Sequence, residues 1–162
     1  MNAETQFLNE PEGRAWRSYL QMHSALTART GRLLSRESGL SVADYEILVT
    51  LASSPEGRMS SQEVRCGLAW EKSRLSHQVR RMEERGLVAR EVNPVDARSA
   101  VLCLTARGRE VIDEAVPRHM EHVRAHFIAL LTPAELELLT RLGERVTNHL
   151  ACENALDPAG PD

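Results

Sequence analysis

Residues 60–104 read SSQEVRCGLAWEKSRLSHQVRRMEERGLVAREVNPVDARSAVLCL, and the punctuation of this stretch decides the fold. Ser60-Ser-Gln-Glu63 is a capping box: serine hydroxyl and glutamate carboxylate each satisfy a backbone N–H that a helix start leaves unpaired. It opens a short helix with Val64 and Leu68 facing inward. The chain turns at Ala69-Trp70, and a second helix is predicted from about Glu71 to Arg85, closed by Gly86. Leu87–Val92 alternates as a strand, Asn93-Pro-Val-Asp96 makes a turn, and Ala100–Leu104 returns as a second strand. Short helix, turn, helix and hairpin in this order make a winged helix-turn-helix lobe, predicted over residues 41–105.

The second helix divides into two faces at about 100° per residue. Leu75, Val79 and Met82 fall together and would seat it on the core. Ser73, His77 and Arg80 lie opposite, flanked by Arg74, Ser76 and Arg81. These side chains hydrogen-bond and carry positive charge, the properties that read base edges and clamp phosphates. Lys72 to His77, at the N-terminal end, would reach deepest into a major groove. Glu84 shares that face but lies at its far end. In the hairpin, Arg98 follows the turn, where a guanidinium can enter a narrow minor groove; Asp96 would brace the loop or Arg98.

Outward from the lobe, the pattern is helical and the expected class is mainly α with a small hairpin wing. Residues 1–13 read as a flexible leader. Tyr19, Leu26 and Leu33 then recur every seven residues in a long helix from about Arg14 to Glu37, stopped at Gly39. Ser41-Val-Ala-Asp44 caps another helix. After the hairpin a helix runs from Thr105 toward Leu131, and Pro117 is expected to kink or split it. Thr132-Pro-Ala-Glu135 starts a last helix with Leu136, Leu139, Leu142, Val146 and Leu150 as an apolar stripe. Residues 14–40 and 106–152 form the expected helical dimerisation region, and residues 153–162 a flexible tail.

The composition narrows the function classes. Of 162 residues, 42% are hydrophobic and 27% charged, enough apolar material for a core and too much for a disordered chain. No apolar run approaches the length of a membrane span, no secretory signal is apparent, and three scattered cysteines make no disulfide framework; a soluble, cytoplasmic protein is expected. Net charge is −3, yet residues 58–109 hold eleven basic and six acidic side chains. A basic middle in an acidic chain suits a local polyanion patch, although charge alone more commonly marks a solvated helix face. The chain lacks a glycine-rich phosphate loop, a Gly-x-Ser-x-Gly elbow and a His-Glu-x-x-His pair, so no enzyme or cofactor is expected.

The pieces Ser73-Arg-Leu-Ser-His77, Arg81-Met-Glu-Glu-Arg-Gly-Leu-Val88, Pro94-Val-Asp-Ala-Arg98 and Leu104-Thr-Ala-Arg-Gly-Arg-Glu110 resemble the multiple-antibiotic-resistance-regulator (MarR) family. Helix order extends the resemblance over roughly Arg14–Ala151. One departure is Ala69, where many such turns carry glycine. The resemblance implies an obligate homodimer whose first and last two helices intertwine, setting two winged lobes on consecutive turns of double-stranded DNA. It further implies a repressor of a pseudo-palindromic operator, released by a small ligand or an oxidant. A winged-helix module that binds protein is the competing reading; it would favour an acidic or apolar second helix.

For the signal, three readings stand side by side. Arg14, Trp16, Tyr19 and His23, with Trp70, could line a pocket for an aromatic acid or phenol, Arg14 or His23 meeting a carboxylate; an aromatic stripe at this spacing is more commonly core. Oxidant sensing needs an accessible low-pKa thiol, and Cys66, Cys103 and Cys152 read as ordinary thiols, with none near the start of the first helix where the peroxide-sensing branch carries one. His119, His122 and His126 share a helical face and could chelate a metal, although histidines on a charged helix are more commonly surface groups, and no metal site is assigned.

Overall fold

In the computed structural model the described residues are 7–93 and 100–156, the side chains of 152–156 excepted. The order is α1 (Glu10–Ser38), α2 (Val42–Ala52), β1 (Arg58–Ser60), α3 (Ser61–Leu68), α4 (Lys72–Glu84), β2 (Val88–Val92), β3 (Ala100–Leu104), α5 (Ala106–His126), a 3-10 turn (Ile128–Leu130) and α6 (Pro133–Leu156). By its contacts the chain divides into two units, Met1–His122 and Val123–Asp162.

Reciprocal caps start four of the helices. Ser41 with Asp44, Ser60 with Glu63 and Thr132 with Glu135 make the expected pairs ahead of α2, α3 and α6. The fourth cap revises the expected leader. Asn9 accepts from the Glu12 N–H at 3.0 Å and Glu12 accepts from the Asn9 N–H at 2.8 Å, so α1 begins at Glu10, ahead of the predicted Arg14. Pro11 fits because the first-turn N–H groups have no intrahelical partner. A second revision concerns Pro117. Of the two expected outcomes, a kink or a split, the split does not occur: α5 runs unbroken to His126 with Pro117 inside it, and the break falls at the 3-10 turn.

In the first unit, a sheet in the order β1-β3-β2 is antiparallel throughout, with Arg58 opposite Cys103 and Val88 opposite Leu104. The hairpin strands match expectation; β1 is additional. The core gathers Ile47, Leu48, Leu51, Val64, Leu75, Val79, Met82, Leu87 and Leu102. It also takes Leu34 from α1 and Ile112 and Ala115 from α5, so residues outside 41–105 share the core of the lobe.

Two sequence motifs turn out to be contact partners. The Thr105 hydroxyl donates to the Gly86 carbonyl at 2.7 Å and accepts from the Gly108 N–H at 2.9 Å. The Thr105 N–H reaches the Leu87 carbonyl at 3.2 Å. Thus Leu104-Thr-Ala-Arg-Gly108 clasps the Gly86-Leu87 turn that ends the α4 segment. Gly108 is required by the clasp, because a Cβ there would lie 2.0 Å from the Leu87 oxygen.

The turn between α3 and α4 carries backbone strain. Ala69 sits at φ 51° and ψ 43°, the left-handed cap conformation, and is the one non-glycine with positive φ among the described residues. A Cβ there costs about 1–2 kcal/mol, against about 0.4–1 kcal/mol of extra unfolded-state entropy for glycine. Ala69→Gly is therefore expected to stabilise the chain by roughly 0.5–1 kcal/mol, read as a higher urea midpoint at unchanged slope.

Candidate nucleic-acid interface

Helix α4 presents the two faces expected of it. Leu75, Val79 and Met82 are buried, whereas Lys72, Ser73, Arg74, Ser76, His77, Arg80 and Arg81 are all exposed. Apolar burial seats the helix, so its outer row of cationic and hydroxyl groups costs nothing in desolvation. Arg74 lies over the Trp70 ring, 3.9 Å from the centroid. Because Trp70 is itself buried, the stacked guanidinium is held against a fixed platform. Arg80 pairs with Glu84 at 3.4 Å, both side chains well exposed. An exposed pair of this kind contributes little to stability. Arg98 and Asp96, the expected wing contacts, lie outside the described residues.

Several residues that fix α4 were not singled out by sequence reasoning. Asp44, only 2% exposed, receives the Gln78 amide at 2.7 Å and the Arg85 guanidinium at 2.7 Å, while its own cap bond to the Ser41 N–H persists at 2.8 Å. Arg85 also donates to the Gly39 carbonyl at 2.9 Å, where α1 ends in a left-handed glycine. From the other side, Arg90 of β2 donates to the Ser76 carbonyl at 3.0 Å and pairs with Glu83 at 3.3 Å. An Arg58–Glu91 ion pair links β1 to β2. Only Asp44 had a local signal, its capping box; the others lie 33 to 46 residues from their partners in the chain or make a strand-to-helix contact.

Burial pushes the Asp44 carboxyl upward, but the Arg85 bond, the two Ser41 bonds and the Arg85 charge outweigh it and hold it below the ordinary value. A depressed folded-state pKa contributes stability above the unfolded pKa and loses it as pH falls through the folded one. Acid unfolding should therefore steepen below about pH 4, and Asp44→Asn should flatten that limb of the stability–pH curve.

The remaining candidates separate. On α1, Trp16 stacks on Tyr19 at 5.7 Å and Tyr19 on His23 at 6.1 Å, an exposed ladder; Arg14 pairs with Glu10 at 2.9 Å. Trp70 belongs to the lobe core, and among the described residues no ring contact joins it to that ladder. Cys66 is exposed; Cys103 is buried, and burial followed by the Glu91 bond pushes its thiol pKa up; the Cys152 side chain lies outside the described residues. His119 packs on Tyr45 at 4.4 Å, and burial, then the neighbouring His122, pushes its pKa down. His122 bonds Glu37 at 2.9 Å, and among the described residues no group of three or more side chains is placed to hold a metal. No described helix is long and apolar enough to cross a membrane.

With this geometry in place, comparisons with known proteins are decisive. The MarR family model matches residues 38–99. AbsC, a MarR family transcriptional regulator from Streptomyces coelicolor, superposes with a TM-score of 0.84 at 37% identity, covering 90% of this chain and 97% of AbsC. The chain belongs to the MarR family. Sco3205, another MarR family transcriptional regulator of Streptomyces coelicolor, was solved in complex with DNA; its TM-score is 0.85 at 35% identity over 89% of this chain and 94% of its own. Bordetella bronchiseptica BpsR, whose DNA binding is regulated by 6-hydroxynicotinic acid, reaches a TM-score of 0.70 at 25% identity, covering 86% and 95%. The chain is thus a MarR-family DNA-binding transcriptional regulator, with the mostly helical fold and small antiparallel sheet of its relatives.

Proposed function

We propose that this MarR-family chain is a homodimeric repressor that occupies a pseudo-palindromic operator through α4 and the hairpin and leaves it when a small aromatic acid binds. The observation that carries the reading is the outer row of α4, where seven hydrogen-bonding or cationic side chains are exposed while the apolar row beneath them is buried. Lys72, Ser73, Arg74, Ser76 and His77 are the groups for base edges; Arg80 and Arg81 face the flanking phosphates. Arg98 is assigned to the minor groove, with Asp96 as its support.

Dimerisation is supported by apolar side chains that have no cover within one chain. Trp16, Tyr19, Leu20 and Met22 on α1, and Leu138, Leu139, Leu142, Val146 and Leu150 on α6, are each exposed by more than a third. Faces of this kind call for a partner, and a second copy supplies the matching ones. The ligand class rests on the α1 ladder of Trp16, Tyr19 and His23, whose stacked rings suit a flat aromatic acid, with Arg14 able to leave the exposed Glu10 for a carboxylate. BpsR, answering to such an acid, supports that class. Trp70, packed beneath Arg74, would report on occupancy only through the lobe.

The deciding test is selection from a random duplex library at two salt concentrations. A palindrome with half-sites about 10 base pairs apart is expected; weak, steeply salt-dependent binding with no enriched sequence would overturn the reading. Within it, Arg74→Ala should cost about 1–3 kcal/mol for the selected sequence. Arg81→Ala should instead weaken all duplexes alike and lower the salt slope by about one. Fluorescence titrations over a salt series separate the two.

A further inference from the structure

The apolar seat of α4 consists of Leu75, Val79 and Met82, and apolar contact alone is non-directional, leaving a freedom of roll and slide that polar contacts must narrow, as Arg90 does at the Ser76 carbonyl and Glu83. A reader of base edges cannot tolerate that freedom, because hydrogen bonds to bases need both position and angle. The only buried charged residue among those described, Asp44, lies where this freedom would be removed. Gln78 on α4 and Arg85 at its C-cap stand seven positions apart, about 10 Å along the axis, and so share a face. Both reach the same carboxylate, Gln78 on Oδ1 and Arg85 on Oδ2, each at 2.7 Å. Two arms converging on one point fix the axial position and the roll of the helix together. Arg85 continues to the Gly39 carbonyl at 2.9 Å, so the same arm ties the end of α4 to the corner where α1 ends and α2 begins.

We infer that Asp44, with Gln78 and Arg85, is a positioning device that sets operator discrimination, apart from its share in stability. The inference rests on α4 being the reading helix. Buried ion pairs contribute little net stability compared with apolar residues of similar volume. What the Asp44 centre adds beyond burial is direction, since each bond has a preferred distance and angle. The carboxylate itself faces inward and would touch no DNA; its effect passes through Arg74, Ser73 and His77 on the outer row.

The test compares the full-length parent, Asp44→Asn, Gln78→Met and Arg74→Ala. Each is titrated against the duplex recovered by selection and against a shuffled duplex, and each is followed by thermal melting. Asp44→Asn is expected to lose about tenfold in operator affinity, equivalent to roughly one base contact, while its affinity for the shuffled duplex and its salt slope stay at the parent's. Gln78→Met, similar in length and leaving the Arg85 pair intact, should lose less but in the same selective way. It carries the test alone if Asp44→Asn does not fold. Operator affinity equal to the parent's, or operator and shuffled affinities falling together, would overturn the inference. Arg74→Ala distinguishes the two levels. If it loses operator discrimination while the Asp44 and Gln78 variants keep it, only the positioning role fails. If Arg74→Ala also discriminates like the parent, or the parent does not discriminate at all, the reading helix is misassigned and the inference falls with it.

Discussion

Gly108→Ala should destabilise the chain by about 2–3 kcal/mol, toward the upper end of overpacking penalties. Two effects oppose each other at this position. Alanine is the better helix former by about 1 kcal/mol, but its Cβ would sit 2.0 Å from the Leu87 carbonyl oxygen and 2.9 Å from the Leu104 side chain. The Leu87 oxygen is backbone, and it accepts from the Thr105 N–H, so it can retreat only if the clasp opens. The clash therefore wins. Gly67→Ala is the control: it lies in α3 with nothing within 4 Å of the new Cβ and should be neutral or stabilising. Chemical denaturation of both variants measures the difference, and equal midpoints would show that the clasp is looser than drawn.

Leu142→Glu combined with Val146→Glu is expected to yield a monomer whose operator affinity is at least about a hundredfold weaker. Both side chains are exposed within one chain, at 40% and 56%, so two carboxylates there burden no internal packing. Across a two-fold interface the same four charges would meet in an apolar environment, where unpaired carboxylates are costly. In the proposed dimer the second lobe is tethered, so its binding is effectively intramolecular, and a monomer would lose that contribution. Sedimentation velocity reads the oligomeric state, and titration of full and half operators reads the affinity. A dimer that persists, or a monomer that still binds the full site as tightly as the parent, would contradict the proposed assembly.

What the sequence disclosed were the local devices. Capping boxes span three residues, so Ser41 with Asp44, Ser60 with Glu63 and Thr132 with Glu135 were readable as starts, and the row Leu75, Val79, Met82 was readable from helical spacing. The same signal stood at Asn9-Glu10-Pro11-Glu12, where the proline and the nearby Gly13 drew the reading toward a loop instead. Strand β1 escaped because three residues carry no periodicity; Arg58–Ser60 becomes a strand only when β3 lies beside it. The convergence of Gln78 and Arg85 on Asp44 escaped for a related reason. A glutamine on the flank of a helix gives no local sign that its partner stands 34 residues earlier. The family resemblance reached what local patterns could not, joining Arg85-Gly-Leu-Val88 to Leu104-Thr-Ala-Arg-Gly108 as motifs; the structure adds that they touch.

The order β1-β3-β2 has a bearing on how the lobe comes into being during synthesis. Its middle strand is the last of the three to leave the ribosome, and β1 and β2 share no ladder, each pairing with β3 alone. A nascent chain that has emerged as far as Val92 has two strand segments with no backbone ladder between them, only the exposed Arg58–Glu91 ion pair. Helices α2 and α3 can start from their own caps in the meantime, since those bonds are local. When Ala100–Leu104 arrives, both ladders close on it, and Thr105 follows at once to latch the Gly86-Leu87 turn. Sheet formation is thus a single late event, and a chain halted before residue 104 would expose two open edges to its neighbours.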